Sequence, residues 1–162
     1  MPDPSDVKVR KMTDADLARV NEIDRLLYGE ERTPTWPFSF ESYWGVHRPK
    51  LSFVAEINGT IVGFLVGNIA QEEHSQSIFR LARSTGPLPQ NQKIGWMDMI
   101  GIHPEYQRRS VGKLLIEAFI EQCQKSNASV RGIINDNDAR LQKFMESLGF
   151  KKQEAVVYER EL

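Results

Sequence analysis

The stretch LSFVAEINGTIVGFLVGNIA, residues 51–70, constrains the fold more than any other part of the chain. Two runs rich in β-branched and apolar residues flank Asn58-Gly59, a pair that accepts the positive φ angles of a two-residue type I′ turn. Antiparallel strands over 51–57 and 60–69 are the expectation. In several other stretches the apolar residues recur at spacings of three and four, so helices must accompany the sheet.

Ahead of the hairpin, VKVRKM alternates like a short strand with Val7 and Val9 on one side. Thr13 and Asp16 have the spacing of a capping box, and Leu17, Val20, Ile23 and Leu27 then mark one helix face up to Gly29. The segment TPTWPFSFESYWGVHRP holds three prolines and five aromatics and reads as a loop entering a short helix over about 39–47. It suits either an apolar cluster under a long connection or a lid over a pocket.

After the hairpin, QEEHSQSIFRLARSTGPLPQNQ is a polar excursion with one helical turn at about 78–82. KIGWMDMIGIHP reads as a strand ended by Pro104, with Trp96, Asp98, Ile100 and Ile102 on one face. Val111, Leu114, Leu115, Ala118, Phe119 and Cys123 predict a helix. VRGII predicts a strand over 130–134. Asp138 is placed to N-cap a helix whose stripe of Leu141, Phe144, Met145 and Leu148 ends at Gly149, and AVVYEREL closes the chain as a strand. The sum is a mixed α/β (α+β) domain over 1–162, with no repeat and no second-domain linker.

Lys plus Arg (21) nearly balance Asp plus Glu (22), a net charge of -1, which argues against nucleic acid or an anionic membrane as partner. No run approaches the roughly 18 to 20 apolar residues of a membrane span, and MPDPSDVKVRKM lacks a signal-peptide core, so a soluble cytoplasmic protein is expected. Cys123 is the single cysteine, which excludes an internal disulfide and a thiolate zinc cluster and reads as a packed thiol. No metal is expected.

Any anion site must therefore be local, and IHPEYQRRSVGKLLIEAF supplies one. A helix beginning near Ser110 leaves its first N–H groups unpaired, and its dipole places partial positive charge there. Arg108 and Arg109 add guanidinium groups, and Gly112 keeps bulk out of the first turn, which suits a phosphate or pyrophosphate. Neither the Walker spacing GxxxxGK nor the dinucleotide fingerprint GxGxxG is present.

Gln107-Arg108-Arg109-Ser110-Val111-Gly112, set between strand and helix, resembles the pyrophosphate loop Gln/Arg-x-x-Gly-x-Gly/Ala of the GNAT superfamily of N-acetyltransferases. The order of elements, from capped first helix through hairpin to a helix ending SLGF and a last strand, resembles that family over almost the whole chain. Ser110 stands where the family has its first glycine, Asp138 where it often has Asn, and Met145 where many members carry the tyrosine that protonates the leaving thiolate.

The resemblance implies a central, mostly antiparallel sheet with helices on both faces and a splayed strand pair that holds coenzyme A. It implies direct transfer from acetyl-CoA to a primary amine of a small molecule or of a protein N-terminus or lysine. Residues Gln107, Arg108, Arg109, Ser110, Val111, Gly112 and Lys113 would bind the pyrophosphate, with Asp138 nearby. Ile100, Gly101 and Ile102 would line the pantetheine arm, and the Ile100 N–H would stabilise the oxyanion.

Asp98 is the carboxylate best placed as general base, or else a structural group capping a loop. Tyr158, or water, is the candidate acid, against a packed strand role. Glu30, Trp36 and Tyr43 are the acceptor-side candidates, with the helix-end carboxylate also readable as merely solvated. His103 reads as a hydrogen-bonded turn residue. Two other classes stay open: a non-catalytic acyl-CoA-binding module, because Met145 has no proton to give, and an unrelated nucleotide-phosphate binder. A homodimer through the terminal strand also stays open.

Overall fold

The Asn-Gly turn forms as its sequence requires. In the computed structural model of the chain, which describes residues 6–29, 38–71 and 93–153, Asn58 and Gly59 have φ of 50° and 76°, and Ile57 faces Thr60 across the turn. The strands so joined, β2 (Leu51–Ile57) and β3 (Thr60–Gln71), lie inside a five-stranded sheet. β1 (Val7–Lys11) pairs antiparallel with β2, β4 (Lys93–Ile102) antiparallel with β3, and β5 (Ala128–Gly132) parallel with β4. β3 runs to Gln71, past the expected 69, because Ala70 and Gln71 pair with Ile94 and Lys93.

Helices cover both faces. On one, α1 (Leu17–Tyr28) and α2 (Phe40–His47) bury Val20, Ile23, Phe40 and Tyr43 against Val54, Phe64, Val66 and Met99. On the other, α3 (Val111–Lys125) and α4 (Ala139–Ser147) bury Leu115, Ile116, Phe119, Cys123 and Met145 against Phe53, Ala55, Val62 and Leu65. The caps follow the sequence: the Thr13/Asp16 box closes a short 3-10 turn that leads into α1, and Ser39 and Asp138 accept from Ser42 and Leu141 N–H at 3.2 and 2.9 Å. The buried Asp24 of α1 accepts from the Phe40 N–H at 3.0 Å, which ties the start of α2 to α1.

Arg10 of β1 clamps Asp16 with Nη1 and Nη2 at 2.7 and 2.8 Å and also reaches Glu56 of β2. The Arg10 hydrogen bonds hold the Asp16 carboxyl at a pKa of about 2, against 3.8 ordinarily, although burial opposes them. A carboxyl depressed in the folded state stabilises fully above the unfolded pKa and loses that stabilisation as pH falls through the folded one. Allowing for the half-exposed guanidinium, this amounts to about 1–2 kcal/mol at neutral pH. The denaturant-midpoint gap between the wild type and Asp16→Asn is therefore widest above about pH 4 and closes towards about pH 2; a gap independent of pH contradicts the assignment.

Helix α3 lies tight on the sheet because β3 and β4 offer it glycines. A Cβ on Gly95 would overlap Cys123 Sγ and stand 3.3 Å from Phe119. Gly95→Ala is expected to cost about 2–3 kcal/mol as an overpacked core site. Adding Cys123→Ala removes the clashing sulfur and restores most of that loss, read as a positive coupling in a double-mutant cycle of thermal melts. Cys123 is fully buried, and burial pushes its thiol up to about 11. It is the packed thiol expected, and it stays silent towards thiol reagents in the folded protein.

Strand β4 departs from its expected phase. Val66 pairs with Met99 but Gly67 with Met97, so Asp98 is an extra residue with no cross-strand partner, a β-bulge. Gly95 and Met97 face the α3 side, which puts Trp96 on the opposite face with Asp98, whose carboxylate bonds Tyr43 of α2. Beyond the bulge Ile100 and Ile102 pack on the α3 side. The four residues expected on one face are thus divided two and two. β5 is also shifted, to 128–132 rather than 130–134, because its ladder pairs Ala128–Gly132 with Lys93–Met97 and stops there.

Candidate active site

The last β4–β5 pair is Met97 with Gly132, immediately before the bulge. From Asp98 to Ile102, β4 has β3 on one side and no β5 partner on the other. The His103 N–H donates to the Val62 carbonyl of β3 at 2.9 Å. Main-chain direction alternates along a strand, so Gly101 and Met99 turn to β3 while Ile100 and Ile102 turn their N–H and C=O groups to the opening. Gln107 Nε2 closes one end of it by donating to the Ile102 carbonyl at 3.3 Å. Gly101 contributes room: a Cβ there would press on Phe64 and Leu27 at 2.5 and 2.9 Å.

The chain then turns into α3 through two left-handed residues, Arg108 with φ 62° and Ser110 with φ 60°. Such backbone costs a non-glycine residue about 1–2 kcal/mol, which explains a preference for glycine at the position Ser110 occupies. Serine is a common helix cap, yet the Ser110 side chain makes no capping bond. A capping hydroxyl needs extended backbone, and the left-handed turn denies it. The first helical bond runs from Leu114 N–H to Ser110 C=O at 3.0 Å, so the N–H groups of Val111, Gly112 and Lys113 have no acceptor within the helix.

Around this open start, Arg108 is exposed and Arg109 lies over the Tyr106 ring at 5.3 Å. Tyr106 in turn meets the His103 ring edge-on at 5.6 Å. His103 is the turn histidine expected, its Nδ1 accepting from the Glu105 N–H at 3.3 Å. Lys113 lies on the flank of α3, paired with Glu117 at 3.7 Å. Val111 is buried and offers only its main chain. A Cβ at Gly112 would stand 3.6 Å from Phe144 and 3.9 Å from Ile102, in ordinary contact. Asp138 spends Oδ1 on capping α4, and Met145 is 8% exposed, inside the apolar core. Uncapped amides, two guanidinium groups and a free strand edge fit a pyrophosphate attached to an amide-bearing arm.

On the α1/α2 side, the Tyr43 hydroxyl donates to Asp98 Oδ2 at 2.6 Å. Two candidates 55 positions apart in sequence thus meet at the bulge, with Tyr43 only 4% exposed. The His47 ring lies 4.9 Å from that of Tyr43; its spacing of four from Tyr43 on one helix was the signal available for it. Glu30, Trp36 and Tyr158 lie outside the described residues, as do the 72–92 excursion and the terminal strand.

A mixed sheet whose fourth and fifth strands part at a bulge, beside a basic turn and an open helix start, is the fold of the GNAT acetyltransferases. The sequence pattern of the Acetyltransferase (GNAT) family matches residues 17–150, and the chain belongs to that family. An acetyltransferase of Yersinia pestis (strain Pestoides F) is 30% identical over 116 residues, covering 68% of this chain. The match spans 64% of that relative's length, just under two thirds.

Among solved structures, the aminoglycoside acetyltransferase AAC(6')-Iy, in complex with the bisubstrate analogue CoA-S-monomethyl-acetylneamine, superposes with a TM-score of 0.69 at 18% identity over 96% of this chain and 98% of its own. Arabidopsis thaliana Naa50, in complex with the bisubstrate analogue CoA-Ac-MVNAL, does so with a TM-score of 0.66 at 14% identity over 92% and 85%. At these identities the likeness is one of fold. Among the described residues no helix is long and apolar enough to cross a membrane.

Proposed function

We propose that the chain transfers an acetyl group from acetyl-CoA directly to a primary amine. The observation that carries this reading is the parting of β4 and β5 at Asp98: it opens main-chain groups of Ile100 and Ile102 on one side and sets a Tyr43-braced carboxylate on the other. The structural neighbours in complex with CoA-linked bisubstrate analogues support the same use of the fold.

The amides and guanidinium groups from Gln107 to Lys113 hold the pyrophosphate, and the strand edge at Ile100 and Ile102, with Gly101 making room between them, guides the pantetheine arm. When bound, the thioester supplies the acyl group and a thiolate leaving group. The Ile100 N–H faces the opening, where it stabilises negative charge on the carbonyl oxygen. An amine is mostly protonated at neutral pH, and Asp98, oriented by Tyr43, takes its proton. Met145 is buried and has no proton to give, so the thiolate draws its proton from Tyr158 or water.

Calorimetric titration with acetyl-CoA, coenzyme A and ATP, followed by thiol release against a panel of amines, tests the reading. Binding of both CoA species but not ATP, with amine-dependent release, is the expected result. The core position of Met145 favours one other reading, an acyl-CoA-binding module without chemistry, and binding with no release on any amine would establish it. Preference for ATP would overturn the pyrophosphate loop.

A further inference from the structure

Among the described residues, two buried side-chain polar atoms lack a hydrogen-bond partner, Ser129 Oγ and Arg131 Nη1. Both belong to β5. Ala128 and Val130 pack into the α3-side core, so Ser129 and Arg131 turn to the other face, that of α1 and α2. Leaving a buried donor unmet costs about 1–3 kcal/mol, and more when it is charged, so two such groups side by side call for an explanation.

Their position says what kind. Arg131 pairs across the sheet with Trp96, and Asp98 lies two residues further along β4 on the same face, about 7 Å along the strand and one strand spacing of about 4.8 Å across. The pyrophosphate loop is in the opposite direction: Trp96 is six residues before Ile102, roughly 20 Å of strand. These donors are therefore set apart from the coenzyme A phosphates and belong on the side where the acceptor meets Asp98. A serine hydroxyl and a guanidinium N–H, both able to donate, match a ligand group that only accepts, and two donors match the two oxygens of a carboxylate.

We infer that Ser129 and Arg131 recognise a carboxylate on the acceptor, so that the amine acetylated here is a small amino acid-like zwitterion whose ammonium is presented to Asp98. This rests on the transferase reading and narrows its substrate class. The guanidinium, partly exposed as a residue, gains through such a ligand the counter-charge that no ion pair supplies among the described residues.

The experiment compares free amino acids with their C-terminal amides and decarboxylated amines as acceptors in thiol release, together with calorimetric binding of the same amino acids to the CoA-loaded protein. In the wild type, kcat/KM for the carboxylate forms exceeds that for the others by about 10- to 100-fold, the range for hydrogen bonds to charged groups. Arg131→Gln brings the ratio to about one, mainly through KM, while CoA affinity is retained as the measure of folding. Ser129→Ala lowers the ratio several-fold and guards against a misfolded arginine variant.

Amine acetylation with no preference for carboxylates would overturn the inference and leave the transferase standing. Amino acid binding that depends on Arg131, without turnover, would support the inference and overturn the transferase. Neither binding nor preference would overturn the inference outright.

Discussion

Gly112→Glu is expected to abolish coenzyme A binding in a protein that remains folded. The amides of residues 111–113 have no helical acceptor, and Ser110 does not cap them, so the first turn of α3 carries concentrated positive potential. A glutamate there brings bulk and a competing anion to the place where a pyrophosphate would sit. Loss of several charge-assisted hydrogen bonds predicts at least about a 100-fold fall in affinity. Gly112→Ala is the control: its methyl group would lie 3.6 Å from Phe144, so it fits, and alanine favours the helix by about 1 kcal/mol. Calorimetry and a thermal melt on both variants decide the matter. Undiminished binding by a folded Gly112→Glu protein would place coenzyme A elsewhere.

The second large effect falls on chemistry rather than binding. Asp98→Asn preserves the shape at the bulge but removes the proposed base, and kcat is expected to drop by about 100- to 1,000-fold with CoA affinity unchanged. Tyr43→Phe keeps the ring in its apolar seat and releases the carboxylate from the 2.6 Å bond; its deficit is smaller, about tenfold, the lower end of the about 1.5–3 kcal/mol that a hydrogen bond to a charged group is worth. Steady-state rates at saturating acetyl-CoA distinguish the two variants. If Asp98→Asn turns over within twofold of the wild type, the carboxylate serves only to seat α2.

Much of the molecule was legible in the sequence because it depends on local chemistry. Asn58-Gly59 specifies its own turn, Asp138 its own cap, and the stripe from Val111 to Cys123 its own helix. What escaped was phase and partnership. Nothing in KIGWMDMIGI marks Asp98 as an inserted residue, because a bulge is settled by the pairing of Val66 and Gly67 on the neighbouring strand. The early end of β5 had the same origin, since Ile133 and Ile134 look as strand-like as Val130 until the ladder is seen to stop at Met97.

At the site, the basic turn was readable from residue type and spacing, and Asp98 was singled out only through the family resemblance. The bond between Tyr43 and Asp98 was not legible, because it joins segments that only the packing of α2 on the sheet brings together. Ser110 is legible only in part: serine is a good cap by type, and only its left-handed φ of 60° shows why it does not cap.

The bulge has a consequence for how this strand can vary. Before Asp98 the odd-numbered side chains of β4 serve the α3 core, and from Ile100 onward the even-numbered ones do. Asp98 is thus a phase shifter, and its presence as a residue matters apart from its carboxylate. Removing it would join Met97, opposite Gly67, directly to Met99, opposite Val66, so the ladder would run unbroken and Met99, Ile100 and Ile102 would keep their present faces. Both packed faces of β4 thus accommodate the loss of this one residue, and what its deletion takes away is the bulge itself, the point at which β4 parts from β5.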